Sequence, residues 1–391
     1  MCIRDRACAY LKNVTGYLPY KNTQAKYFPS GAGAFDDMIV RCAEAKKFIF
    51  IEYFIIAEGA LFSRLFSVLE ERAAAGVDVR VIYDDMGSNG RLSHKLKKRV
   101  RASGIKIYAF NKLVPLYKIG MNYRDHRKIT VVDGETAYTG GINIADEYVN
   151  EKRMYGYWKD NAVRMDGDAV QGFTLMFLRQ WEFVTRKSFD YSPFLKLSGG
   201  AAAARGKACR DTGVFLPFAA GLEYRDPVVR DMYANIIARA NEKLYIMTPY
   251  FVPDETITDL LAGKARSGVD VRMVLPGIPD KKYVYLISLD NADKLIDSGV
   301  KIYTMSDTFV HTKSVLTENC AVIGSANFDL RSFFQQYENA LYTDDKTVME
   351  GLARDFEETF PECVQRQYIK RDINFARRLL TAVLQIFAPM M

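Results

Sequence analysis

The chain has 391 residues, 49% hydrophobic and 26% charged, with a formal net charge of +7. This composition excludes a disordered polymer, and the length predicts two domains, each able to bury its own core. The mild basic bias suits an anionic partner such as phospholipid or nucleic acid, without choosing between them.

In chain order, Met1 to Arg6 join no periodic pattern and open no signal peptide. Residues 1–18 are read as an N-terminal segment, truncated or artefactual, ahead of the first domain. A helical stretch from Phe35 to Lys47 leads into the strand Phe48 to Phe54. Gly76 ends the next helix as a left-handed cap would, and the alternating strand Val77-Asp78-Val79-Arg80-Val81 follows. Ser103-Gly104-Ile105-Lys106-Ile107-Tyr108 repeats that junction. Lys128 to Val132 has strand character, Asp133-Gly134 signals a tight turn, and Ala137-Tyr138-Thr139 returns as the second strand of a hairpin. The Gly- and Ala-rich stretch 195–206 is the expected linker.

The elements then recur. Pro227 to Glu242 leads to Leu244 to Phe251, Gly268 precedes Val269 to Met273, and Ser298-Gly299 precedes Val300 to Tyr303. Lys313 to Leu316, Thr317-Glu318-Asn319 and Ala321 to Ile323 repeat the hairpin. Offsets of 192 residues at Gly268 and 195 at Gly299 point to an internal duplication. Alternating helices and strands predict an α/β fold, an α/β sandwich in each half, with domains at 19–194 and 207–391.

Only three histidines occur, and two fall at matching places in this repeat, 185 residues apart. His126-Arg127-Lys128 is followed by Asp133, then Gly140-Gly141-Ile142-Asn143; His311-Thr312-Lys313 is followed by Glu318, then Gly324-Ser325-Ala326-Asn327. A single His-x-Lys in a basic chain is commonly a solvated surface pair; two at equivalent positions predict one site shared by two halves. His94 has no counterpart and reads as a helix-surface residue. Within each hairpin the histidine and lysine are two apart and face the same way.

This constellation suits phosphodiester chemistry without a metal. A neutral imidazole attacks phosphorus and a protonated one serves the departing alkoxide. Unperturbed histidine titrates near 6.5, so modest tuning would leave one ring neutral and one charged. Lys128, Lys313, Asn143 and Asn327 would offset charge on the phosphoryl oxygens, and Gly141 and Ser325 would let backbone approach a ligand. Asp133, at a turn, is expected to hold the hairpin rather than to enter the chemistry directly, which is the alternative. Asp160 and Glu338 are candidates to orient the imidazoles, with an ordinary surface acid as the alternative. The six cysteines show no Cys-x-x-Cys pair and the histidines no metal-type spacing, so neither a zinc site nor any cofactor is expected. No apolar run approaches the roughly 20 residues that span a bilayer.

At these residues the chain resembles the phospholipase D superfamily, whose signature is His-x-Lys-x4-Asp, present twice. His126, Lys128 and Asp133 match in full; His311 and Lys313 match, with Glu318 where the family has Asp. Within it the chain looks most like the bacterial cardiolipin synthases, from about Tyr27 onward, including Thr248 to Glu255, Gly140 to Tyr148 and Gly324 to Phe333. The resemblance implies two phospholipase D-like domains sharing one active site, with His126, Lys128, Asp133, His311, Lys313 and Glu318 as its catalytic set. It implies phosphatidyl transfer between two phosphatidylglycerol molecules, giving cardiolipin and glycerol, with His126 as nucleophile and His311 as acid and base. It also implies work at an anionic bacterial inner membrane, with similar enzymes carrying N-terminal membrane helices that this start would lack. The segment Phe375 to Phe387 reads equally as an interfacial helix or as one packed on the second domain. Rival readings are a hydrolase or nuclease on the same scaffold and a non-catalytic lipid-binding scaffold; the diffuse charge disfavours a nucleic-acid groove.

Overall fold

The structure is a computed structural model and describes residues 3–113, 120–195 and 213–367. The first half contains β1 (Thr23–Phe28), β2 (Phe48–Tyr53), β3 (Asp78–Asp84), β4 (Lys106–Phe110), β5 (Arg124–Asp125), β6 (Lys128–Val132), β7 (Thr136–Gly140), β8 (Tyr157–Lys159) and β9 (Ala162–Gly167). The second contains β10 (Phe215–Ala220), β11 (Lys243–Met247), β12 (Phe251–Val252), β13 (Asp270–Pro276), β14 (Lys301–Met305), β15 (Thr308–Val310), β16 (Ser314–Thr317), β17 (Ala321–Gly324), β18 (Phe328–Asp329), β19 (Gln336–Thr343) and β20 (Cys363–Gln365).

The duplication is visible in the strand order. The first sheet runs β1-β9-β7-β6-β2-β3-β4 and the second β10-β19-β17-β16-β11-β13-β14, with β20 added at its edge. In both, the central strand pairs parallel with the strand after its crossover helix and antiparallel with the first hairpin strand.

Strand β2 shows why the sheets stack. It is buried on both faces, so it reads as an apolar run broken only by Glu52. Phe48 and Phe50 face a central core, while Ile49, Ile51 and Tyr53 face an outer layer of helices. The central core runs unbroken from Phe50 and Val131 through Phe173 and Phe177 of helix Val170–Thr185 to Phe215, Leu244 and Val322 of the second half. Helix Gly31–Ala43 is capped by Ser30, whose hydroxyl accepts from the Gly33 amide. Gly76 and Gly268 sit at φ 90° and 92°, the left-handed caps read from the sequence.

Residues 3–15 form a helix, Ile3–Thr15, with Ala7 and Leu11 buried in the central core. Tyr10 of that helix donates to Asp231 of helix Val228–Ile237 at 3.2 Å. The segment read as lying outside the domains thus packs on the second one. The proposed linker, apart from Leu195, and the segment Phe375 to Phe387 lie outside the described residues.

Two short parallel ladders stitch the halves together, and duplication relates them. Strand β5 of the first half pairs with β19, joining Asp125 to Tyr337. Strand β15 of the second pairs with β8, joining Val310 to Lys159. Each ladder stops one residue short of a histidine.

Candidate active site

The ladders deliver both histidines to the domain interface. His126 lies just before β6 and His311 just before β16, held by backbone bonds from their amides to the carbonyls of Tyr337 (2.9 Å) and Lys159 (2.8 Å). The residue following each of those carbonyls is an acid. Glu338 faces His126, its oxygens 3.0 and 3.1 Å from Nδ1; Asp160 lies 2.7 Å from Nδ1 of His311. Each half therefore supplies the carboxylate that orients the other half's imidazole. A carboxylate at Nδ1 accepts that nitrogen's proton-bearing bond and leaves Nε2 with the lone pair.

Lys128 and Lys313 are fully buried and donate back to the carbonyls of His126 (2.5 Å) and His311. The site is one electrostatic unit: the Lys313 charge acts on His126, and the Lys128 charge acts on His311. Burial lowers His126 to about 4, with Glu338 opposing. His311 falls to about 3 through burial and Lys313, opposed by Asp160. Burial also brings Lys128 down to about 8 and Lys313 to about 7; burial pushes Glu338 up, but its contacts with His126, then Lys128 and Ser325, hold it below its usual range. In the ligand-free site both rings are therefore neutral at pH 7. Burial outweighs the carboxylates in the empty site, and one charged beside one neutral ring is a state that an entering anion would favour.

The supporting shell is asymmetric. Ser325 and Ser332 both donate to Glu338, the latter at 2.7 Å. In the other half Gly141 takes the place of Ser325, and a Cβ there would lie 2.1 Å from Asp160 Oδ1. Ser325 thus serves an orienting acid directly, and Gly141 makes room for Asp160 and for the carbonyl of His311. Asn143 Oδ1 accepts from the Ile55 amide at 3.1 Å, and its amide nitrogen is buried without a hydrogen bond of good geometry among the described residues. Asn327 is held the opposite way: Nδ2 donates to Asp329 at 3.0 Å and Oδ1 is unpaired. Tyr148, Trp158 and Phe309 wall His311, whereas Phe54 alone lies edge-on to His126, at 5.0 Å.

Asp133 and Glu318 lie at the far end of their strands, on the order of 20 Å from the histidines by strand rise. Asp133 accepts from the amides of Lys46, Lys47 and Phe48 at 2.7–2.9 Å. Glu318 does the same for Asn241, Glu242 and Lys243 at 3.0–3.4 Å. Their placement in the catalytic set is corrected: each pins the loop entering the central strand to the hairpin turn. The longer glutamate performs the same task with longer bonds. His94 is exposed at the start of helix His94–Ala102, as read.

Sequence reasoning missed Asn161 and Asn339. Asn339 accepts from the Lys128 amide at 3.0 Å and donates to Thr139 at 2.6 Å; Asn161 donates to Ser314 at 2.8 Å. The signal was present as a repeated acid-Asn dipeptide, Asp160-Asn161 and Glu338-Asn339.

Comparison with known proteins agrees with this geometry. The profile of the family described as cardiolipin synthase, PLD-like domain, matches residues 38–181 and 233–360. An uncharacterised protein of Streptococcus mutans is 37% identical over 385 residues, covering 98% of this chain and 82% of its own. A cardiolipin synthase of Oceanobacillus iheyensis is 32% identical, covering 96% of this chain and 78% of that one. In fold, a phosphatidylserine synthase of Haemophilus influenzae superposes with a TM-score of 0.71 at 14% identity, over 99% of this chain and 97% of that one. The profile matches both halves, the curated relatives align over nearly the whole chain, and the chain belongs to the cardiolipin synthase family of phospholipase D-like proteins.

Proposed function

We propose that the protein transfers a phosphatidyl group between two phosphatidylglycerol molecules, forming cardiolipin and glycerol. The observation that carries this reading is the reciprocal pairing of His126 with Glu338 and of His311 with Asp160, two Nε2 lone pairs set beside two buried lysines. Family membership supports the lipid class.

In the first step, Nε2 of His126 attacks phosphorus and a P–N bond forms. The P–O bond to the glycerol headgroup breaks, and the departing oxygen takes a proton from His311. In the second step, the headgroup hydroxyl of another phosphatidylglycerol gives its proton to His311, its oxygen attacks phosphorus, and the P–N bond breaks. Binding of the diester anion raises the proton affinity of both rings, so His311 gains the proton that the empty site denies it. Lys128, Lys313 and the buried amide nitrogen of Asn143 meet the charge on the phosphoryl oxygens.

Since both substrates are bilayer lipids, the site works at an anionic membrane surface, as a peripheral contact of these residues. Among the described residues no helix is long and apolar enough to cross a membrane. Exposed Tyr123 and Phe334 flank the β5 and β19 segments that carry His126 and Glu338, and they supply apolar contact there.

Purified protein mixed with vesicles of phosphatidylglycerol alone tests the reading. Cardiolipin and glycerol in equal amounts are expected. Phosphatidic acid as the main product would make the protein a hydrolase, and no lipid product with cleaved DNA in a parallel assay would make it a nuclease.

A further inference from the structure

The two histidines are not buttressed alike. From Asp160 a buried polar circuit runs outward and returns. The Asn161 amide donates to Asp160 Oδ1 at 2.9 Å, and Asn161 Nδ2 donates to the Tyr27 hydroxyl oxygen at 2.9 Å. That hydroxyl donates to Asp355, whose other oxygen pairs with Lys159 Nζ at 2.5 Å. Lys159 precedes Asp160, and its carbonyl accepts the His311 amide at 2.8 Å. Asn161, Lys159 and Asp355 are all buried. Three separate elements close the loop: β1, β8 and the second-half helix Lys346–Thr359.

Behind His126 the buried polar group is a different one: Arg127 donates to the Glu338 carbonyl at 3.2 Å and to Glu223 at 2.9 Å, and among the described residues no lysine–aspartate pair matches Lys159–Asp355 there. Tyr337 occupies the position of Lys159, and its ring lies against Phe110 and Arg127. A buried ion pair adds little net stability against an apolar replacement. What Lys159–Asp355 supplies is orientation, from a helix that touches neither histidine.

We propose that Asp355, acting through Lys159 and Tyr27, is a positioning residue for His311, holding the backbone on both sides of Asp160 so that carboxylate and imidazole stay aligned. This rests on the functional reading above, in which His311 moves the proton in both steps. The charged groups that act on His311 are Lys313, Asp160 and Lys128. Those facing Asp355 are Lys159 and the Tyr27 hydroxyl, and the cleft of about 350 Å³ beside it is lined also by Lys26, Glu350, Arg354 and Glu358.

The test is Asp355→Asn in the full chain, assayed on phosphatidylglycerol vesicles for kcat, KM and pH dependence, with thermal melts alongside. The expected result is a fall in kcat of about 10- to 100-fold with KM within about twofold, since geometry is lost while substrate contacts remain. The unpaired Lys159 ammonium then competes for Asp160 and lowers the proton affinity of His311, moving its limb of the pH profile to lower pH. The double variant Lys159→Met/Asp355→Asn should bring that limb back and lose no more turnover than Asp355→Asn. If Asp355→Asn fails to fold, Tyr27→Phe decides, with a smaller fall in kcat at unchanged KM expected. Wild-type kcat and an unshifted limb in a folded variant, or a change confined to KM or to melting temperature, would overturn the inference. Wild-type protein that makes no cardiolipin would instead overturn the functional reading beneath it.

Discussion

Burial sets the proton inventory of the site. Lys313 and Lys128 sit low, at about 7 and about 8, so the cations that meet the phosphate are present below those values and lost as pH rises through them. His126 must be neutral to attack, and it stays so down to about 4. In the free enzyme, His311 must gain a proton that it lacks above about 3. The kcat/KM is therefore expected to fall with rising pH across the neutral range, more steeply between about pH 7 and 8 as the lysine cations are lost, and to fall on the acid side only near pH 4. A profile flat from pH 6 to 10 would remove the lysines from the chemistry. The orienting acids give a second outcome at this scale. Glu338→Gln and Asp160→Asn keep the shape but allow the wrong tautomer, and each should lower kcat by roughly 10²- to 10⁴-fold in steady-state assays. A loss in one alone would show that the halves do not share a single phosphorus. The histidines and lysines were legible because they repeat. The burial that neutralises both rings was not, since it depends on a partner domain 150 and more residues away in the chain.

Among the elements, the hairpin turns carry the clearest expectation. Asp133 and Gly134 take φ 54° and 64°, a left-handed pair in the three-residue loop between Val132 and Thr136, and the Asp133 carboxylate fastens the start of β2. Asp133→Ala should cost about 1–3 kcal/mol in urea unfolding, from three backbone donors left without their acceptor. Glu318→Ala should cost less, because its bonds are longer, and Glu318→Asp should be neutral or stabilising. In each, the folded protein should keep its turnover; a collapse of kcat at full stability would return these acids to the active centre. Both hairpins, both glycine caps and the central strands could be read from periodicity and turn chemistry. The helix Ile3–Thr15 could not: its buried face rests on residues as small as Ala7 beside Leu11, too few apolar positions to announce a period. The ladders β5–β19 and β8–β15 were equally silent, because two- and three-residue strands have no pattern of their own.

At the scale of the whole molecule, duplication has been turned into mutual dependence. The two sheets share one apolar core around helix Val170–Thr185, and each active-site half is completed by the other's acid. Calorimetry of the full chain should accordingly show one cooperative transition; two well-separated peaks would mean that the halves fold apart. The two-domain repeat and the α/β class were legible in the spacing of Gly76, Gly104, Gly268 and Gly299, whereas the exchange of Glu338 and Asp160 across the interface was not, since spacing says nothing about which half a carboxylate serves. The account's central claim is that histidines from both halves act on one phosphorus, and turnover of phosphatidylglycerol quenched with detergent at neutral pH, followed by peptide mass spectrometry without acid, tests it most directly. A phosphatidyl adduct on His126, absent in His126→Ala and with cardiolipin formation lost in His311→Ala, is the predicted result. An adduct elsewhere, or undiminished turnover in either histidine variant, would contradict it.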